Sequence, residues 1–210
     1  MIRRMQFLKT GGFLLLMILA EGAFAGGGPL GIDHRLAYDN SGIFKRQIQQ
    51  DLLTLMVMGE IGGALWEGDE TRLGKTLWQS VDSTILASAS AAALKTVFTR
   101  SRPTQTNDPN QFFRGSGNYS FPSGEVAAMS AIVTPLVLEY REEDPWVYAL
   151  EILPVYDMVA RMKVQAHWQS DVLAGFAIGT FSGYFAHSRQ KSFTLQVLPG
   201  GFSVGLKKEF

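Results

Sequence analysis

Apolar side chains recur at intervals of three and four positions in five stretches of the chain, residues 43–65, 73–98, 124–140, 145–162 and 170–186. That spacing lines one face of a helix, so the pattern predicts an all-α helical bundle. Ahead of the first stretch, residues 29–42 carry Pro29, Gly31, Asp33, Asp39, Asn40, Ser41 and Gly42 with little periodicity, which reads as an irregular lead-in. After the last one the period changes to two. Residues 193–198 and 202–206 flank Pro199-Gly200-Gly201 and predict a short C-terminal β-hairpin, an appendage because one hairpin cannot close a barrel.

The first 25 residues follow a different logic. Arg3, Arg4 and Lys9 precede a compact apolar run at 13–20, and Ala23-Phe24-Ala25 is a small-x-small site before Gly26. This is the order of a cleaved secretory signal; the run is short for a bilayer span, and an uncleaved anchor stays open. The expected organisation is a signal at 1–25, a helical domain at 26–190 and a hairpin extension at 191–210.

Polar residues interrupt the apolar stretches: Glu60 in the first, Gln79 and Asp82 in the second, Glu151 and Asp157 in the fourth. None of these runs is uninterrupted for the length of a bilayer span, so a soluble bundle is expected before a polytopic membrane protein, with peripheral membrane contact left open. Gly175, Gly179 and Gly183 recur every four residues and predict close helix packing. The long connection at 101–121, rich in Asn, Gly, Ser, Pro and Thr, reads either as a loop over a site or as a disordered surface segment.

Composition narrows the chemistry. Nineteen Lys and Arg balance nineteen Asp and Glu with no long basic run, so no nucleic-acid partner is expected. Removing residues 1–25 leaves a near-neutral chain. The absence of cysteine excludes disulfides, thiolate metal sites and a cysteine nucleophile, and it suits a bacterial periplasm. His34, His167 and His187 are too few and scattered for a polyhistidine metal site, so neither metal nor cofactor is expected.

Three segments gather groups suited to phosphate. In the first, Lys95 and Arg102 stand seven apart before Pro103, which on a continuous helix puts both on one face. Arg100 between them reads as a cation answering the helix C-terminus. In the second, Pro122-Ser123-Gly124-Glu125 runs into an apolar helical stretch: Ser123 is placed to cap, Gly124 to let a ligand approach, and the first-turn N–H groups to meet a phosphoryl oxygen. In the third, Arg161 precedes His167, and Asp171 follows four residues later near a helix start capped by Ser170. That carboxylate could accept one imidazole N–H and leave the other nitrogen free to attack, or the pair could be a structural hydrogen bond.

In order, Lys-x6-Arg-Pro, Pro-Ser-Gly and Arg-x5-His-x3-Asp resemble the type 2 phosphatidic acid phosphatase and vanadium haloperoxidase superfamily, over about residues 95–175. The resemblance implies a helical bundle with its catalytic groups at one end, metal-independent phosphohydrolase or phosphotransferase activity, and a phosphohistidine intermediate. By position, Lys95, Arg102 and Arg161 would hold the phosphate, Ser123 and Gly124 would complete the cradle, His167 would be the nucleophile and Asp171 would orient it. The expected partner is a phosphorylated small molecule or a lipid phosphate.

One position departs from the pattern. Where the family reads Pro-Ser-Gly-His, its histidine protonating the leaving oxygen, this chain has Glu125. Three readings follow: an acid with a raised pKa, a bystander to a leaving group that is itself acidic, such as the phosphate of a diphosphate, or lost catalysis. The expected function is an exported phosphatase, against a catalytically silent phosphate-binding protein and, further off, vanadate-dependent halide oxidation.

Overall fold

The computed structural model describes residues 26–189, together with the backbone of residues 195–198 and 201–204. The expected signal at 1–25 and the outer parts of the hairpin lie outside the described residues. A lead-in closed by an antiparallel bridge between Gly27 and Asp33 reaches a 3-10 turn, Gly42–Phe44, and then five α-helices. These are α1 (Arg46–Glu67), α2 (Arg72–Phe98), α3 (Gly124–Tyr140), α4 (Ile152–Lys163) and α5 (Gln169–His187). Strands β1 (Leu195–Leu198) and β2 (Gly201–Val204) then pair antiparallel, with Leu198 opposite Gly201. The architecture is the all-α bundle with a terminal hairpin that the periodicity predicts.

Helix α3 runs through the middle, packed mainly on α5 and α2 and touching α1 and α4 at its sides. It is apolar on every side: Val126, Ala127, Ala128, Met129, Ala131, Ile132 and Val133 are all buried, the signature of a helix surrounded by others. Burial of each of its Val and Met side chains contributes roughly 1.5–3 kcal/mol. The glycine ridge of α5 allows the tightest of these contacts. A Cβ at Gly175 would strike the Ser123 carbonyl, and one at Gly179 the Ala127 carbonyl, so α5 lies almost backbone to backbone on α3. This brings the start of α3 and the start of α5 to the same end of the bundle.

One expectation needs correction. Residues 145–162 are not one helix: Pro145–Glu151 form a 3-10 stretch capped by Asp144, whose carboxylate accepts the Trp146 N–H at 3.0 Å, and α4 starts afresh at Ile152. The restart puts Pro154 in the first turn of α4, where its missing N–H breaks no helical bond. The polar interruptions, moreover, mostly point inward. Glu60, Asp82 and Asp157 are buried, while Leu55, Met58, Ile61, Leu65 and Trp66 of α1 and Phe181, Tyr184 and Phe185 of α5 are exposed. The exposed sides of α1 and α5 thus carry large apolar groups while these acids turn inward. No helix among the described residues is long and apolar enough to cross a membrane.

Candidate active site

Helix α2 stops at Phe98 because Thr99 takes a left-handed conformation, φ 33°, and the chain turns back across the bundle end. Lys95 and Arg102 thus do not share a helix face, as the seven-residue spacing suggested; the returning loop brings them together. Lys95 Nζ donates to the carbonyls of Tyr119 at 2.9 Å and Pro122 at 2.5 Å, and Arg102 donates to Tyr119 at 3.3 Å and Ala166 at 3.2 Å. Both cations rest on main-chain oxygens that a stronger anion can displace.

The same turn carries Arg100 inward, contrary to its reading as a helix-end cation. It is fully buried, stacked 4.6 Å over the Phe112 ring, and donates to Asp171 Oδ1 at 2.5 Å, Ser170 Oγ at 2.8 Å, Asp33 Oδ2 at 2.6 Å and the Pro109 carbonyl at 2.6 Å. Asp33, from the lead-in, also accepts the Ser170 N–H and hydroxyl. Ser170 is therefore not the cap of α5. Trp168 occupies that position, its N–H bonded to Asp171 Oδ2 at 2.9 Å. The loop 101–121 is tied down by Ser101 N–H to Gln111, Phe113 N–H to Phe98 and Ser120 N–H to Arg100, with Phe98, Phe112 and Phe121 in mutual ring contact beneath it.

His167 is 4% exposed, and its Nδ1 is 2.7 Å from the Ser120 carbonyl. A carbonyl only accepts, so Nδ1 carries the proton and Nε2 the free lone pair. Asp171 Oδ2 stands 3.8 Å from Nδ1, beyond hydrogen-bond reach; it accepts the Ser120 hydroxyl at 2.5 Å instead. The carboxylate thus acts on the ring through its charge and through the segment that holds it. Burial, with the charges of Arg161 and Lys95, lowers the imidazole pKa to about 3 against the opposing pull of Asp171, so the ring is neutral. Burial pushes Asp171 up, but His167, Arg100 and Ser120 outweigh it and keep it an anion.

Ser123 holds the N-cap position of α3 without capping: its Oγ is buried and has no hydrogen-bond partner among the described residues. A cradle is the better account of an orphan hydroxyl beside free helix N–H groups. Gly124 faces the same space, since a Cβ there would sit 3.6 Å from Lys95 Cε. Arg161, on the last turn of α4, is 5% exposed and bonds the Gln49 amide oxygen at 3.2 Å. All eight residues singled out from the sequence therefore meet at one end of the bundle.

Five more complete the site: Asp33, Arg46, Gln49, Arg100 and Ser120. Arg46, at the start of α1, holds Glu125 by two parallel bonds of 2.5 Å and shares Gln49 with Arg161, which itself lies 3.7 Å from Glu125. Burial raises the Glu125 carboxyl, but Arg46 and Arg161 outweigh that and keep it below its ordinary pKa. A carboxylate added to a cationic site calls for another cation, and that charge argument was the available sequence signal for Arg46.

The sequence model of the PAP2 superfamily matches residues 76–194, more than half of the chain. The chain belongs to the PAP2 superfamily. It is 30% identical over 152 residues to a lipid A 1-phosphatase of Porphyromonas gingivalis, an alignment that covers 70% of this chain and 32% of that protein. The chain thus spans about a third of that relative's length. Among solved structures, Aquifex aeolicus LpxE superposes with a TM-score of 0.52 at 17% identity, over 84% of this chain and 94% of that one, a likeness of fold.

Proposed function

We propose that this PAP2 protein is an exported phosphatase that removes phosphate from a lipid through a phosphohistidine on His167. The observation that carries this reading is a buried, neutral imidazole whose Nδ1–H is fixed by a carbonyl, beside Lys95, Arg102 and Arg161. The phosphate draws Lys95 and Arg102 from their carbonyl contacts, while Arg161, the Ser123 hydroxyl and the first N–H groups of α3 take its remaining oxygens. His167 Nε2 attacks phosphorus as the bond to the leaving oxygen breaks, and water then cleaves the N–P bond, restoring the imidazole and releasing phosphate. Cationic side chains do the charge stabilisation for which other phosphatases employ metal ions.

A lipid substrate is supported by the lipid A 1-phosphatase relative and by the exposed apolar side chains of α1 and α5. Export rests on the pattern of residues 1–25. The test is phosphate release from lipid phosphates by the full chain in detergent, with His167→Ala as control and trapping of labelled protein by an alkaline denaturing quench. The expected result is an acid-labile, base-stable phosphoprotein that His167→Ala lacks. Wild-type turnover by that variant overturns the assignment, and phosphate binding with no turnover by the wild type leaves a binding protein.

A further inference from the structure

We propose that Asp33 is a positioning residue of the reaction: through Arg100 it sets Asp171 and the Ser120 segment, and so the aim and the charge support of His167. The inference rests on the phosphohistidine reading above and extends the machinery to the lead-in, outside the residues 76–194 that match the family.

The lead-in delivers one carboxylate to the bundle. Gly27 and Asp33 exchange both main-chain bonds, at 2.8 and 2.9 Å, and Gly28 turns with φ 78° where a Cβ would overlap Asp33 Oδ2. The His34 N–H then reaches the Gln169 amide oxygen at 3.1 Å, and the Gln169 amide returns a bond to the His34 carbonyl at 3.1 Å. Asp33 is thereby carried, 1% exposed, to the first turn of α5. There Oδ1 accepts the Ser170 N–H at 2.7 Å, while Oδ2 accepts the Ser170 hydroxyl and Arg100 Nη2, both at 2.6 Å.

Arg100 has no donor to spare. Nε and Nη2 donate to the Pro109 carbonyl, Nη1 to Asp171 and to Ser170 Oγ, and Nη2 also to Asp33, so five bonds use its five N–H groups. A guanidinium is rigid and planar, so seating Nη2 on Asp33 orients Nη1 on Asp171. From Asp171 the route to the imidazole is short. Its Oδ2 accepts the Ser120 hydroxyl at 2.5 Å, and the Ser120 carbonyl holds the His167 Nδ1–H at 2.7 Å.

Charge follows the same route. One guanidinium between two buried carboxylates leaves that trio net negative, whereas without Asp33 the guanidinium would cancel Asp171 one for one. The difference is felt when His167 reacts. Nε2 gives its lone pair to phosphorus, the P–O bond breaks with its pair going to the leaving oxygen, and Nδ1 keeps its proton. The ring therefore becomes a cation, 3.8 Å from Asp171 Oδ2, and the surviving negative charge stabilises it. Phosphate itself is held by Lys95, Arg102 and Arg161, none of which touches Asp33. Loss of Asp33 should accordingly appear in kcat and not in KM.

The experiment measures kcat and KM of the full chain in detergent on nitrophenyl phosphate and phosphatidic acid, for wild type, Asp33→Asn, Arg100→Met and the double variant, with circular dichroism to verify folding. Gln169→Ala is the control, since it frees His34 from α5 and leaves both carboxylates on Arg100. Asp33→Asn should lower kcat about 10–100-fold with KM within about twofold. In the Arg100→Met background, where the route to Asp171 is already cut, the same substitution should cost less than about threefold. Gln169→Ala should keep kcat within about threefold of wild type. Should Asp33→Asn not fold, Ser170→Ala decides, because it removes only the hydroxyl that Asp33 and Arg100 share: a lower kcat at unchanged KM supports the inference and an unchanged kcat overturns it. A folded Asp33→Asn with wild-type kcat, a loss confined to KM, equal losses in the two backgrounds, or an equal loss in Gln169→Ala overturns it as well. Turnover that His167→Ala abolishes would, in those cases, leave the phosphatase standing. No turnover of either substrate by folded wild type overturns both.

Discussion

Replacing Asp157 by asparagine should make the protein more stable at pH 8 and less stable at pH 4, so that the two stability curves cross near pH 5. Asp157 lies on α4 one turn before Arg161, is fully buried, and has no hydrogen-bond partner for either carboxyl oxygen among the described residues. Burial, assisted by the charge of Glu125 and opposed by Arg161 and Arg46, raises its pKa from the ordinary 3.8 to about 7. The folded state therefore holds this proton more tightly than the unfolded state does. The stability that the neutral acid contributes is present in full below pH ~4 and is lost as pH rises to about 7, beyond which the anion is buried. Holding the proton from the ordinary 3.8 up to about 7 corresponds to a loss on the order of 4 kcal/mol.

Asparagine removes this loss and introduces amide donors that also lack partners, at a cost of about 1–2 kcal/mol at every pH. Urea unfolding of both proteins at pH 4, 5, 6, 7 and 8 measures the difference. Glu60 and Glu151 are likewise raised to about 7 by burial and steepen both curves, and His167, neutral in the fold, adds the opposite slope below its ordinary 6.5. These contributions cancel in the comparison. Parallel curves for the two proteins would refute the reasoning, since the raised proton affinity would then not belong to Asp157. The same ionisation should pull Arg161 away from bound phosphate, so the variant should also retain activity further into the alkaline range.

Arg100→Ala strands Asp33 and Asp171 as buried anions and should cost about 3–5 kcal/mol in unfolding measurements, with kcat falling through the loosened Ser120 segment. Burial and the charges of Arg102 and Arg161 lower Lys95 to about 8, against Asp171 and Glu125, so its cationic form is lost as pH rises through 8. Competitive inhibition by phosphate should accordingly weaken above pH ~8, and Lys95→Arg should shift that weakening upward. Vanadate should inhibit competitively and EDTA should not, as kinetics in metal-free buffer will show; reversible EDTA inhibition restored by zinc or magnesium would contradict the cationic cradle.

The helices were legible in the sequence wherever packing follows the local period. Helix α3 begins and ends as its apolar pattern predicts because neighbours cover it all round, and α5 carries its contact instructions in Gly175, Gly179 and Gly183. The motif residues were legible because each segment brings its groups to one end of the bundle. What periodicity does not encode is direction beyond a helix end. Arg100 and Arg102, two residues apart past the end of α2, go to opposite fates, one buried among carboxylates and one at the cradle, because Thr99 reverses the chain between them and Lys95. Contacts made across long sequence separations were equally silent: Asp33 reaches Ser170 and Arg46 reaches Glu125 only once the lead-in and α1 are folded onto the bundle.

The departure at position 125 shows how such a silent contact changes the chemistry. A glutamate placed among Lys95, Arg102 and Arg161 would by itself repel the anion they attract, and by the same charges would be held ionised. Arg46 resolves the first problem and deepens the second. It restores the positive balance of the site, and its fork on both carboxyl oxygens removes the proton that a general acid would need. Position 125 therefore carries a carboxylate held ionised and, paired with it, the guanidinium of Arg46. Glu125→His tests whether a proton donor is missing here, because imidazole can carry a proton at neutral pH: the variant should gain activity on alkyl monophosphates relative to nitrophenyl phosphate. An unchanged ratio of the two rates in the folded variant would mean that position 125 does not act on the leaving group.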